Sequence, residues 1–190
     1  MSSAPTDPET GPESVPDHAG ERPPEPPPKR LGTLAAIAVT VIALDLLTKI
    51  VMVAWLHDGE RVPLVGDLVS FTLVRNPGAA FSLATGMTWV LTLVALAVVV
   101  GIVRFARQLR SRGWALALGL VLGGALGNLV DRFFRGPGPL QGHVVDFVSV
   151  GWFPVFNVAD SAITVGGVVL VLLALLGRDL DGTRTPGARA

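Results

Sequence analysis

Four stretches of this chain are too long and too apolar to be left in water. They cover 31–56 (LGTLAAIAVTVIALDLLTKIVMVAWL), 88–105 (TWVLTLVALAVVVGIVRF), 113–130 (GWALALGLVLGGALGNLV) and 160–177 (opening DSAITVGGVVLVLLALL). A bilayer core of roughly 30 Å is crossed by about 20 mostly apolar residues in a helix. Composition agrees. Half of the 190 residues are hydrophobic and only 16% are charged, against about 25% in a typical soluble domain. The mean hydropathy is +0.56. The expected class is an all-α polytopic membrane protein with four transmembrane helices. The GGALG of the third span lets backbones approach closely.

The ends and connections read differently. Residues 1–30 (MSSAPTDPETGPESVPDHAGERPPEPPPKR) are rich in Pro and Glu and nearly devoid of apolar side chains. Such a segment cannot bury enough surface to order itself, and it has no apolar h-region of a signal peptide. PPEPPP could be an SH3-type ligand; a solvated tail is the simpler reading. The layout is therefore a disordered tail at 1–30, a membrane domain at 31–177 and a short tail at 178–190. Arg104, Arg107, Arg110 and Arg112 crowd the connection between spans two and three, with no acid among them. Lys29 and Arg30 precede span one, and Arg178, Arg184 and Arg189 follow span four. Basic loops stay in the cytoplasm, which puts both termini inside. The connections 57–87 and 131–159 then lie outside, despite Arg61, Arg75, Arg132 and Arg135. In the first of these, RVPLVGDLVSFTLVRN alternates in part and carries β-branched residues, so it predicts a small extracytoplasmic β-element of one or two strands. The turn NPGAAFS follows.

Ionisable groups at membrane depth are costly and mark candidate functional positions. Asp45 and Lys49, four apart, share a helix face and can pair; the plainest reading is self-neutralisation. Asn128, Asp131 and Arg132 close span three. Asp146 and Asp160 sit in an apolar, aromatic run with Asn157. All converge at one membrane face. The chain has no cysteine, so thiol nucleophiles and Cys-ligated metals are excluded. His18, His57 and His143 are isolated, and no HExxH is present. Ser82 and Ser161 lack a motif tying them to a base such as Lys49. GGALGN lacks the Lys and Ser/Thr of a phosphate loop. Paired carboxylates remain. Two held close share one proton; the ionised one takes a proton from water, and the protonated one donates to a carbonyl oxygen and later to the leaving amine. No cofactor or metal is needed. Spacing leaves Asp45, Asp131, Asp146 and Asp160 all open as members of the pair. Phe147, Trp152 and Phe156 are expected to bury it. Two other classes use the same acids: a small ion or proton-coupled transporter, which needs charges along a path, and a scaffold in which they glue helices.

Five blocks in order resemble the bacterial lipoprotein signal peptidase (signal peptidase II) family: Asp45 with Lys49, NPGAAFS at 76–82, GGALGNLVDR at 123–132, VVDF at 144–147 and FNVADSAI at 156–163. The resemblance runs from about residue 34 to 176. It implies an intramembrane aspartic endopeptidase of the bacterial inner membrane that cleaves prolipoproteins before a diacylglyceryl-modified cysteine. By motif, it puts the catalytic pair on Asp146 and Asp160. It puts substrate-binding roles on Asp45, Lys49, Asn76, Gly78, Asn128, Arg132 and Asn157, and leaves Asp131 structural, pairing with Arg132 or a loop backbone. The implied partners are prolipoproteins and membrane lipid, with no nucleic acid, and the implied state is a monomer.

Overall fold

The computed structural model of the protein describes residues 27–78 and 88–184. Most of the Pro-rich tail, residues 79–82 of NPGAAFS, and Arg189 lie outside the described residues. Four helices are long and apolar enough to cross a membrane: α1 (Leu31–Trp55), α2 (Thr88–Ala106), α3 (Arg112–Phe134) and α4 (Val158–Leu175). At 1.5 Å per residue, even α4 is about 27 Å long. They match the expected spans with shifted ends. Helix α3 runs past 130, so Asn128, Asp131 and Arg132 are helical. Helix α4 starts at Val158, so Asp160 lies in its first turn.

Helix α3 is central and packs on α1, α2 and α4. Its glycines make this possible. A Cβ on Gly123 would stand 2.7 Å from Val41 Cβ and 2.8 Å from the Ala38 carbonyl of α1. A Cβ on Gly124 would collide with the Ala159 carbonyl of α4. Lipid tails are as apolar as leucine, so such contacts hold by close van der Waals packing, not by exclusion of water. Side chains such as Val39, Leu44, Val94, Val168 and Leu172 point outward and remain exposed. The apolar core lies toward one end of the bundle, with Leu34, Ala38, Ile102, Leu109, Leu118 and Leu122. Residues 178–184, expected as a tail, turn back on that end: the Leu180 carbonyl accepts from the amides of Arg110 and Ser111, and the Trp114 indole donates to the Arg178 carbonyl.

The opposite end carries a sheet: β1 (Arg61–Val65), β2 (Val69–Asn76), β3 (Val144–Val150) and β4 (Phe153–Phe156), all antiparallel, in that order. The sheet is larger than the one or two strands expected between spans one and two. Half of it comes from the connection between α3 and α4, for which no strand is expected above. The β2–β3 ladder joins the two connections, pairing Val74 with Asp146 and Asn76 with Val144. Leu73, Val145 and Phe147 pack on Leu56 and the end of α1. Trp152, expected to bury the acids, sits in the β3–β4 turn and is 93% exposed; the turn aims it away from them.

Gly124→Ala should therefore drive α3 from α4 and lower stability by about 1–3 kcal/mol, the usual cost of overpacking. Gly167→Ala, where an added Cβ meets nothing within 4 Å, should be neutral or stabilising, because alanine favours helix. Unfolding of both purified variants in the same detergent checks the pair.

Candidate active site

The two acids of the apolar run come from different kinds of element. Asp146 is on β3, in the middle of the ladder to β2, and is almost fully buried. Asp160 is in the first turn of α4 and closes a capping box: the Asn157 side chain accepts from the Asp160 amide, and the Asp160 carboxylate accepts from the Asn157 amide. That pattern satisfies the first donors of the helix, which have no partner within it.

Three asparagines orient the acids, and each is itself held by its oxygen. Asn76 Oδ1 accepts from the Gly78 amide at 2.7 Å, so its Nδ2 turns to Asp146 Oδ2 at 2.8 Å. Gly78 has φ +110, a conformation that favours glycine, and a Cβ there would strike Leu91. Asn157 Oδ1 is taken by the Asp160 amide, so its Nδ2 reaches Asp146 Oδ1 at 2.7 Å. Asn128 Oδ1 accepts from Lys49 Nζ at 3.0 Å and from Asn157 Nδ2 at 3.2 Å, leaving its Nδ2 to donate to Asp160 Oδ1 at 2.8 Å. Each NH2 group is directed to an acid because its own oxygen is already engaged. Burial pushes the Asp146 carboxyl up to about 6, and the charge of Asp160 adds to the rise; the hydrogen bonds from Asn76 and Asn157 and the charge of Lys49 oppose it.

Behind the asparagines lies an ion cluster with no exposed surface at its centre. Lys49 Nζ is 2.7 Å from Asp45 Oδ2, 2.9 Å from Asp131 Oδ2 and 3.0 Å from Asn128 Oδ1. The contact to Asp45 Oδ2 is a charge contact without hydrogen-bond geometry, and that oxygen has no other partner. Asp131 also pairs with Arg135 and accepts from the Val145 amide. Asp131 thus holds a backbone amide as expected, but it does not pair with Arg132. Consecutive helical residues point in different directions, and Arg132 instead donates to the carbonyls of Pro77 and Gly142. Arg135 escaped the sequence reading, although its i,i+4 spacing from Asp131 was available as a signal.

Two cavities meet at Asn76 and Asp160. One, of about 410 Å³, lies among α2, α3 and α4 and is walled by Leu91, Val94, Val98 and Ala125, with Arg132 at its polar edge. The other, of about 470 Å³, lies between β4 and α4 against Phe153, Val155, Phe156 and Val165. A polar centre between two apolar recesses can accept a polar bond flanked by apolar groups. Asn76, Asn128, Arg132 and Asp160 border these spaces. Asp45, Lys49, Gly78, Asp146 and Asn157 are not among their lining residues; Asp146 lies behind Asn76, which lines both.

Residues 37–176 match the model of the Signal peptidase (SPase) II family. The lipoprotein signal peptidase of Rhodococcus jostii (strain RHA1) is 69% identical over 151 residues, covering 80% of this chain and 76% of that one. That of Mycobacterium avium (strain 104) is 60% identical over 159 residues, covering 84% and 87%. A solved bacterial membrane enzyme, determined by the in meso method at 1.9 Å resolution, superposes with a TM-score of 0.67 at 30% identity, covering 76% of this chain and 93% of that one.

Carboxyl-selective NMR on aspartate-labelled protein should show one group titrating near pH 6, from the buried Asp146. That signal should vanish in Asp146→Asn. Its persistence there would mean another carboxyl carries it.

Proposed function

The chain belongs to the signal peptidase II family, and from that premise we propose that it is an intramembrane aspartic endopeptidase. It removes the signal peptide from prolipoproteins, cleaving before a diacylglyceryl-modified cysteine. Asp146 and Asp160 are its catalytic dyad. The observation that carries this reading is a charge balance. Asp45, Asp131, Asp146 and Asp160 face the cations Lys49, Arg132 and Arg135. One carboxylate is left over, and a single proton shared by the dyad makes the cluster neutral. Uncompensated charge at this depth is expensive, so the environment favours the singly protonated pair that the chemistry requires.

The proposed cycle assigns the proton at rest to Asp146, which is the more buried, and the charge to Asp160, which stands in the first turn of α4 at the positive end of the helix. Asp160 takes a proton from water as the oxygen attacks the scissile carbonyl carbon. Asp146 gives its proton to the carbonyl oxygen, and a neutral tetrahedral diol forms. Collapse breaks the C–N bond: a proton passes to the leaving amine, a diol O–H proton returns to the dyad, and the carboxylic acid and amine depart. The apolar walls of both cavities suit acyl and apolar peptide groups around the scissile bond. Lys29, Arg30, Arg104, Arg107, Arg110, Arg112, Arg178 and Arg184 at the opposite end argue for a cytoplasmic location there, and so for a dyad near the outer face of the bacterial inner membrane. A transporter would need polar groups along the whole bundle. Among the described residues the buried ionisable ones lie at the sheet end, while the packed cluster at the other end is apolar.

Asp146→Asn and Asp160→Asn should each keep the fold and lower kcat on a lipidated prolipoprotein by roughly 10²–10⁴-fold, the scale of lost acid–base catalysis. Wild-type turnover by either variant would remove the dyad. In the wild type, kcat/KM should fall as pH rises through about 6, because Asp146 then loses the proton it must donate. A profile flat from pH 5 to about 8 would contradict the assignment of Asp146 as the acid.

A further inference from the structure

The acids flanking Lys49 have a second partner each, and the two partners are related. Asp45 Oδ1 accepts from the Ala159 amide at 2.9 Å. Asp131 Oδ2 accepts from the Val145 amide at 3.1 Å. Ala159 immediately precedes Asp160, and Val145 immediately precedes Asp146. One ammonium therefore sits between two carboxylates, each gripping the backbone one residue before a member of the proposed dyad. It also donates to Asn128, whose other end holds Asp160. Lys49, Asp45 and Asp131 are all 0–1% exposed, and none lines either cavity.

We propose that Lys49 is a positioning residue for the reaction: through Asp45 and Asp131 it sets the separation of Asp146 and Asp160, and through Asn128 it fixes the orientation of the Asp160 carboxylate. This rests on the dyad reading above. The sheet runs into α4 through Asn157, which bonds both acids, and the cluster ties the backbone beside each acid to α1 and α3. Without the ammonium, the two carboxylates repel each other across a buried space. The start of α4 at Ala159 and strand β3 at Val145 then separate. Lys49 acts through Asn128, which lines the first cavity, and not by its own contact with substrate. Its charged surroundings are Asp45 on its own helix, Asp131, Arg132 and Arg135 on α3, Asp146 on β3 and Asp160 on α4.

The test uses purified full-length protein and a lipidated prolipoprotein. Lys49→Gln should leave KM within about threefold and reduce kcat roughly a hundredfold, the scale for a reacting group misplaced by about 1 Å. The alkaline limb of its pH profile should move up, since the charge that opposes protonation of Asp146 is gone. A raised KM with unchanged kcat would make Lys49 a substrate contact, and an unaltered enzyme would make it irrelevant; either overturns the proposal. Where Lys49→Gln does not fold, Asp131 variants decide. Asp131→Asn keeps an acceptor for the Val145 amide and should retain more kcat than Asp131→Ala at the same KM. Equal kcat in the two overturns the proposal. The arms separate from the dyad reading: inactive Asp146→Asn alongside fully active Lys49→Gln would refute only the positioning role.

Discussion

Helix α4 begins at a fully buried point, where water does not supply acceptors for its first amides. Much of the site follows from how they are satisfied. Asn157 and Asp160 cap each other, and Asp45 crosses from α1 to take the Ala159 amide. A carboxylate brought that deep requires a cation, and Lys49 supplies it one turn along the same helix. An ammonium with three donors needs acceptors beyond that charge contact, which brings in Asp131 and Asn128 from α3. Asp131 in turn requires further donors and draws on Arg135 and the β3 backbone. Satisfying one helix start thus engages α1, α3, α4 and the sheet, and the two acids emerge at the edge of that network.

The network also depends on what α3 lacks. A Cβ on Gly127 would come within 2.6 Å of Asp45 Oδ2. The carboxylate lies against bare helix backbone, and a side chain there would push α1 out of reach of Asp131. Gly123 and Gly124, the first glycines of GGALG, bring α3 against the backbones of α1 and α4, and Gly127, the last, extends that close approach to the charged part. Packing and electrostatics therefore share one stripe of sequence.

Much of this was legible beforehand. Four spans follow from length and hydropathy, and the Asp45–Lys49 contact follows from i,i+4 spacing. The sheet was half legible. β2 alternates and announces itself; β3, VVDFVSV, is buried on both sides along its first half and reads as a plain apolar run. The available hint was Gly151–Trp152 between two β-prone runs, a two-residue hairpin signal, with Gly151 at φ +51. Trp152 was misplaced for the same reason, since only a hairpin there makes it a turn residue. Of the two partners expected for Asp131, the backbone one holds, though on strand β3 and not a loop, and Arg132 fails because neighbours in a helix point in different directions. The three asparagines were visible as residue types, but which end of each amide faced an acid depends on long-range partners that spacing does not encode.

The two acids ride on bodies that meet at a seam. Asp146 belongs to the sheet, and Asp160 belongs to the bundle. Their alignment is therefore a property of a joint, and joints can be pried open. The recess between β4 and α4, beside Phe156 and Val165, opens on that joint, with Asn76 of the sheet and Asp160 of the bundle on its two walls.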